Sequence, residues 1–187
     1  MDHKKGPDGN GVEVLRRVIF HPPQSRGLMG VELSTGLNLL ATMVTTTTYG
    51  TWLPGDVRGY VEDGRVLPGD PFRANESKRI MRSGAVYLDE DEQDAALRGL
   101  IAACEEFGYR LIAVSIESWH AHALLSHGGD SVTKVVGRLK NRMRQAIGRG
   151  RVWAKGYDKR YCFSEAEVLT RRAYIQRHRG NRTIPSL

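Results

Sequence analysis

The chain has 187 residues, with 28 Lys/Arg against 21 Asp/Glu and a net charge of +7; its length suits one domain with a core of its own, and 40% hydrophobic with 26% charged residues excludes fibrous and wholly disordered classes. No apolar run approaches the roughly 20 residues of a membrane helix, and the first eleven residues lack the apolar stretch of a secretory signal. Two cysteines, Cys104 and Cys162, build neither a disulfide scaffold nor a cysteine zinc site, so a reduced, cytoplasmic setting without membrane partners is expected.

Residues 1–38 read as a poorly ordered leader rich in Gly and Pro, and residues 39–187 as the folded domain. Residues 39–52 form the first strand, with the β-branched run Val44 to Thr48 at its centre. The turn Leu53-Pro54-Gly55-Asp56 ends it, and residues 57–88 follow as a long irregular insertion, of the kind that is usually functional or mobile. Residues 89–107 are a helix with four acids in its first turn, an apolar stripe of Leu97, Leu100, Ile101 and Cys104, and Gly108 as its stop. Residues 109–118 and 119–126 are a pair of strands. Asp130 is the expected N-cap of a second helix, 131–149, with Val132, Val135, Val136, Leu139, Met143 and Ile147 facing inward. Residues 157–163 are the last strand, and Ser164 with Glu167 makes a capping box for a final helix over 165–178. The order β-α-β-β-α-β-α predicts an α+β fold: a ferredoxin-like antiparallel sheet (βαββαβ) with an added C-terminal, tyrosine-bearing helix.

Two local patterns carry chemistry. In the strand containing Trp119-His120-Ala121-His122-Ala123-Leu124-Leu125, period 2 places His120 and His122 on one face. They are either a metal-ligand pair or two hydrogen-bonded histidines. On the final helix, Tyr174 and His178 are four apart and share a face. They are either a nucleophile with a third ligand, or a packed tyrosine and a histidine at a helix C-terminus. Together, His120, His122 and His178 supply metal ligands and Tyr174 a nucleophile for metal-assisted phosphodiester cleavage, with Arg171 and Arg177 favouring the phenolate. Tyr157 and Tyr161 are competing tyrosines on the last strand. The charge is uneven. Residues 131–187 hold fifteen Lys/Arg and three acids, a net of +12, leaving −5 for residues 1–130. That excess is either a solvated surface or a basic face for a polyanion, with Lys134, Arg138, Arg142 and Arg149 as candidate phosphate contacts beside Arg171 and Arg177. Trp52, Tyr49 and Tyr60 are candidates for stacking on unpaired bases, with core packing the alternative for Trp52.

The chain resembles a single-tyrosine HUH transposase, of the type that includes the REP-associated tyrosine transposases. The residues that carry this are His120-Ala121-His122, the helical Tyr174-Ile175, the stretch Trp153-Ala154-Lys155-Gly156-Tyr157, and the run Thr48-Tyr49-Gly50-Thr51-Trp52-Leu53-Pro54-Gly55-Asp56. The resemblance spans about residues 40–181. It implies a metal-dependent single-stranded DNA endonuclease and strand-transferase that cuts near hairpins with Mg²⁺ or Mn²⁺. Tyr174 would form a 5′-phosphotyrosine link, His120 and His122 would ligate the metal, and the protein would act as a homodimer. The third ligand in the family is often Gln or Asn four residues after the tyrosine; His178 at that position is a departure, and a softer ligand than an amide oxygen. The alternatives are a domesticated hairpin DNA- or RNA-binding protein and a metal-dependent phosphodiesterase that uses water.

Overall fold

The computed structural model describes residues 38–62, 65–178 and 182–183. The expected leader, apart from Asn38, lies outside the described residues. The elements in chain order are β1 (Ala41–Thr47), β2 (Tyr60–Glu62), β3 (Arg65–Leu67), α1 (Pro71–Arg79), α2 (Glu90–Phe107), β4 (Arg110–Ile116), β5 (His120–Ser126), α3 (Val132–Ile147), β6 (Asp158–Cys162), α4 (Glu165–Arg177) and β7 (Arg182–Thr183). The architecture is α+β. One sheet runs in the order β6-β1-β5-β4-β7, with every neighbouring pair antiparallel. The two-residue β7 at its edge has no counterpart in the sequence reading.

The alternation of side chains along the central strands decides what each face of the sheet carries. Ala121, Ala123 and Leu125 of β5 join Val44, Leu100, Val135, Leu139 and Met143 in the main core, so α2 and α3 lie over this face. Leu124 of β5 joins Ala41, Met43, Ala113, Cys162 and Ile175 in a smaller core beneath α4. The histidines share the parity of Leu124 and therefore open on the α4 side.

Local signals set the helices. Asp89 caps α2 reciprocally with Glu92, and three acids in the first turn complement the helix dipole. Gly99 lets α2 approach α3, because a Cβ there would stand 2.6 Å from the Arg142 carbonyl oxygen. The capping box of Ser164 and Glu167 opens α4 as its spacing predicts. Ile175 is the buried residue of that helix. It seats α4 on the sheet, and truncating such a side chain to Ala costs about 2–5 kcal/mol.

Four expectations change. The first strand spans Ala41–Thr47 and not 39–52, with Thr48 in an isolated antiparallel bridge to Trp153 before the chain turns at Tyr49 and Gly50. Ser131, not Asp130, caps α3: its backbone is extended and its hydroxyl accepts from the Lys134 N–H. The Asp130 carboxylate is taken by Lys134, Arg138 and Tyr109 instead. The last strand is shorter than 157–163. The insertion is not wholly irregular either, for it contains the β2–β3 hairpin and α1. Asp70 caps α1 by accepting from the N–H groups of Phe72 and Arg73, with Pro71 in its first turn.

Candidate metal centre

The Thr48–Asp56 run fixes the wall of the site. The Thr48 N–H and hydroxyl both donate to the Trp119 carbonyl, at 2.8 and 3.1 Å. The Thr51 hydroxyl donates to the Thr48 carbonyl at 2.9 Å. Gly50 takes φ +77° between them, a conformation that a side chain strains, and a Cβ there would collide with Met81. This latch holds the turn that leads into His120. The insertion closes over it through the Val86 N–H on the Tyr49 carbonyl and the Leu88 N–H on the Ser118 carbonyl.

β5 then presents His120 and His122, each 4% exposed. The end of α4 brings His178 to them. One ligand atom from each of the three rings lies within 4.8 Å of the others. His178 is the residue that caps α4 rather than its last helical residue, yet it keeps the shared face with Tyr174. The Tyr174 ring centroid stands 4.8 Å from that of His178 and 5.5 Å from that of His122, and Tyr174 is 40% exposed. All four sequence candidates for metal and nucleophile are thus brought together within one chain. The Tyr161 ring lies beside Phe163, and Tyr157 bonds Thr133.

The donor set fits a divalent cation. The Nδ1 of His178 donates to Glu117 at 3.0 Å, because a carboxylate accepts only, and this leaves its Nε2 a bare lone pair. The Nδ1 of His122 bonds the Thr45 hydroxyl at 2.8 Å. Its Nε2 is buried with no hydrogen-bond partner, and the Nδ1 of His120, also without a hydrogen bond, lies 3.6 Å from the other Glu117 oxygen. Buried polar atoms are seldom left unpaired, and three rings that each bring one nitrogen within 4.8 Å of the others suit a cation. Burial first, then the neighbouring His178 and Arg58 charges, lower the His120 pKa to about 4. Burial and the adjacent histidines lower that of His122 to about 3. Both rings are therefore neutral at pH 7, the form that ligates metal. Glu117 was not legible in the sequence as a member of this site. It lies in the turn before β5, 61 residues from His178, and nothing local pairs them.

The metal-free protein should lose stability on acidification. Below pH 6.5 the unfolded chain protonates His120 and His122 while the folded chain refuses those protons until about pH 4 and 3. The contribution is complete above pH 6.5 and is lost as pH falls toward 4. Urea denaturation at pH 7.5 and pH 5.0 checks this: the midpoint should fall at pH 5.0, and by less in a His120→Gln/His122→Gln variant.

The basic candidates divide into two sets. Lys134 and Arg138 pair with Asp130, Arg142 with Glu106, and Arg149 with Glu92. Arg138 also lies over the Phe107 ring at 4.0 Å. Arg171 and Arg177 are on α4, the second exposed and the first half-buried. A separate groove of about 430 Å³ is lined by Lys140, Arg144, Arg151 and Lys155 over Val152 and Trp153, with no acid among its lining residues. The Lys140 ammonium donates to the Ala154 and Gly156 carbonyls at 2.7 Å each, and burial lowers its pKa to about 8. It thereby fastens the Trp153–Tyr157 stretch to α3. No helix among the described residues is long and apolar enough to cross a membrane.

Fold and site together define an antiparallel α+β scaffold that carries a histidine triad and a helical tyrosine. Neither a family model nor a curated protein matches the chain. Two solved structures are similar to it. One is a REP-associated tyrosine transposase bound to a REP hairpin, at TM-score 0.46 and 12% identity, covering 77% of this chain and 69% of that one. The other is a Deinococcus radiodurans R1 protein assigned as a transposase, at TM-score 0.41 and 14% identity, covering 78% of this chain and 95% of that one.

Proposed function

We propose that the chain is a metal-dependent single-stranded DNA endonuclease and strand-transferase, a transposase that cuts beside hairpins through Tyr174. The observation that carries this is the meeting of three imidazoles, one ligand atom of each within 4.8 Å of the others, with one half-exposed phenol. His120, His122 and His178 would hold a divalent cation such as Mg²⁺ or Mn²⁺. When bound it supplies Lewis-acid polarisation of a phosphate oxygen.

The chain's own residues do the rest. Tyr174 Oη attacks the phosphorus, a Tyr–O–P bond forms, and the P–O3′ bond breaks. The phenol loses a proton and the departing 3′-oxygen gains one. A 5′-phosphotyrosine and a free 3′-hydroxyl result. Attack by a 3′-hydroxyl on that link reverses the step and rejoins strands without external energy. The test is an end-labelled single-stranded hairpin oligonucleotide incubated with the protein and Mn²⁺ and run on a denaturing gel. A covalent adduct is expected. Cleavage with no adduct would favour hydrolysis by water, and binding without cleavage under either metal would favour a domesticated binding protein.

The acid-free groove is the better phosphate track in this reading. Replacing Arg144, Arg151 and Lys155 by Gln should reduce the slope of log affinity against log salt by about 2 to 3, one counterion for each lost phosphate contact. The same exchange at Lys134, Arg142 and Arg149 should change it less, since those charges are matched by acids. Fluorescence anisotropy of a hairpin oligonucleotide from 50 to 200 mM salt reads both, and a larger effect from the second set would reverse the assignment.

A further inference from the structure

Beside the histidines lies a second cluster that no step above uses. Trp52, in the turn after β1, is 40% exposed. Its indole N–H donates to the Gly59 carbonyl at 2.7 Å, which fixes the ring. The Arg58 guanidinium lies 4.8 Å from the Trp52 ring centroid and 4.8 Å from that of Trp119. Trp119 in turn stands 4.0 Å from the His120 ring. The cluster is therefore continuous with the proposed metal site.

Arg58 is held in a fixed plane. Its Nε and Nη2 donate to the two oxygens of Asp56, at 2.7 and 2.8 Å, and Nη2 also donates to the Thr51 carbonyl at 2.7 Å. Among the described residues its Nη1 makes no hydrogen bond, so two N–H donors remain. Asp56 and Arg58 neutralise each other, so the fork offers its remaining N–H donors rather than a net positive charge. A planar aromatic surface fixed beside a cationic fork is the combination that takes a nucleotide: the base stacks on the indole and a phosphate oxygen accepts from the guanidinium.

We propose that Trp52 and Arg58 form a nucleotide subsite for the unpaired residue next to the phosphate that Tyr174 attacks. The subsite rests on the proposed function for its substrate, single-stranded DNA, and not for its geometry. Asp56 is a positioning residue, since it orients Arg58 and touches no substrate. The 48–56 run thereby has two roles, latching the His120 turn from one side and presenting the base platform from the other.

The test uses full-length protein and fluorescein-labelled (dT)₁₅, with affinity read by anisotropy and stacking by quenching of tryptophan emission. Trp52→Ala should weaken binding about 5- to 150-fold, the range of one lost base stack, while Trp52→Phe should recover most of it. Arg58→Gln should weaken binding while changing the salt slope by less than about one half unit, since Asp56 already matches the Arg58 charge. Affinity for a blunt duplex of the same length should change less than twofold in all three. Trp52→Ala binding within twofold of wild type, with an unchanged circular dichroism spectrum, overturns the subsite; so does an equal loss on duplex, which would mean a general structural defect. The adduct assay keeps the two readings apart. An adduct formed by Trp52→Ala at unchanged KM leaves the tyrosine chemistry standing and removes the subsite. Loss of (dT)₁₅ affinity in Trp52→Ala when wild type forms no adduct leaves the subsite standing and removes the chemistry.

Discussion

Tyr174→Phe should abolish the covalent protein–DNA adduct and lower strand cleavage by at least about a thousandfold, the scale on which losing a nucleophile is felt. The substitution removes one oxygen and nothing else. The ring that meets His122 and His178 at 5.5 and 4.8 Å remains, and Ile175, which seats the helix, is untouched. Tyr174 is half-exposed, so the fold should keep its thermal midpoint. Affinity for the hairpin oligonucleotide should stay within about twofold, because binding rests on the basic groove and not on the phenol. Denaturing gels of 5′- and 3′-labelled substrate check the result. Cleavage that persists in Tyr174→Phe would mean that water attacks the phosphate and would end the phosphotyrosine reading. An adduct that survives Tyr174→Phe and is lost in Tyr161→Phe would be a different failure, with the wrong tyrosine named; Tyr161 is on β6 with Phe163 as its ring neighbour, and a Tyr161→Phe control decides it.

The parts of this site that were legible in the sequence are those written in short periods. His120 and His122 are two apart on a strand, Tyr174 and His178 four apart near a helix end, and each pair was visible without a neighbour in space. The Ser164–Glu167 box was legible for the same reason. What was not legible joins residues far apart in sequence. Glu117 reaches His178 across the fold. Arg142 of α3 and Arg149 just beyond it find Glu106 and Glu92 on α2, so charges that look available there are already paired. The insertion hid its structure differently. β2 and β3 are three residues each, too short to show alternation, and α1 has no buried residue and so no apolar stripe to betray it. Trp52 stood open between core and surface; its indole N–H found a loop carbonyl and its ring a guanidinium, neither of which composition reveals.

The second large effect is expected at the metal. His120→Ala/His122→Ala should remove metal-dependent cleavage while hairpin affinity falls by no more than about threefold. Two of three ligands are lost, and His178 alone does not hold a cation of this kind. The groove of Lys140, Arg144, Arg151 and Lys155 contains neither histidine, which is why binding and cleavage should separate. A readout independent of activity comes from linkage. A cation that binds only the folded chain stabilises it by about 2.7 kcal/mol at 100 times its Kd, so Mn²⁺ should raise the wild-type melting midpoint and leave the variant's unchanged. Both rings are buried, and Ala leaves space where each was, so His120→Gln/His122→Gln is measured alongside to separate lost ligation from lost packing. Glu117→Gln belongs in the same series. It keeps the shape beside His178 but replaces a pure acceptor by a group that also donates, which loosens the tautomer that frees His178 Nε2. Its Mn²⁺-induced shift should be smaller than wild type and larger than that of the double variant. A double variant that folds normally, is still stabilised by Mn²⁺ and still cleaves would place the metal elsewhere. One that folds normally but loses hairpin affinity along with cleavage would instead make the histidines part of the DNA surface.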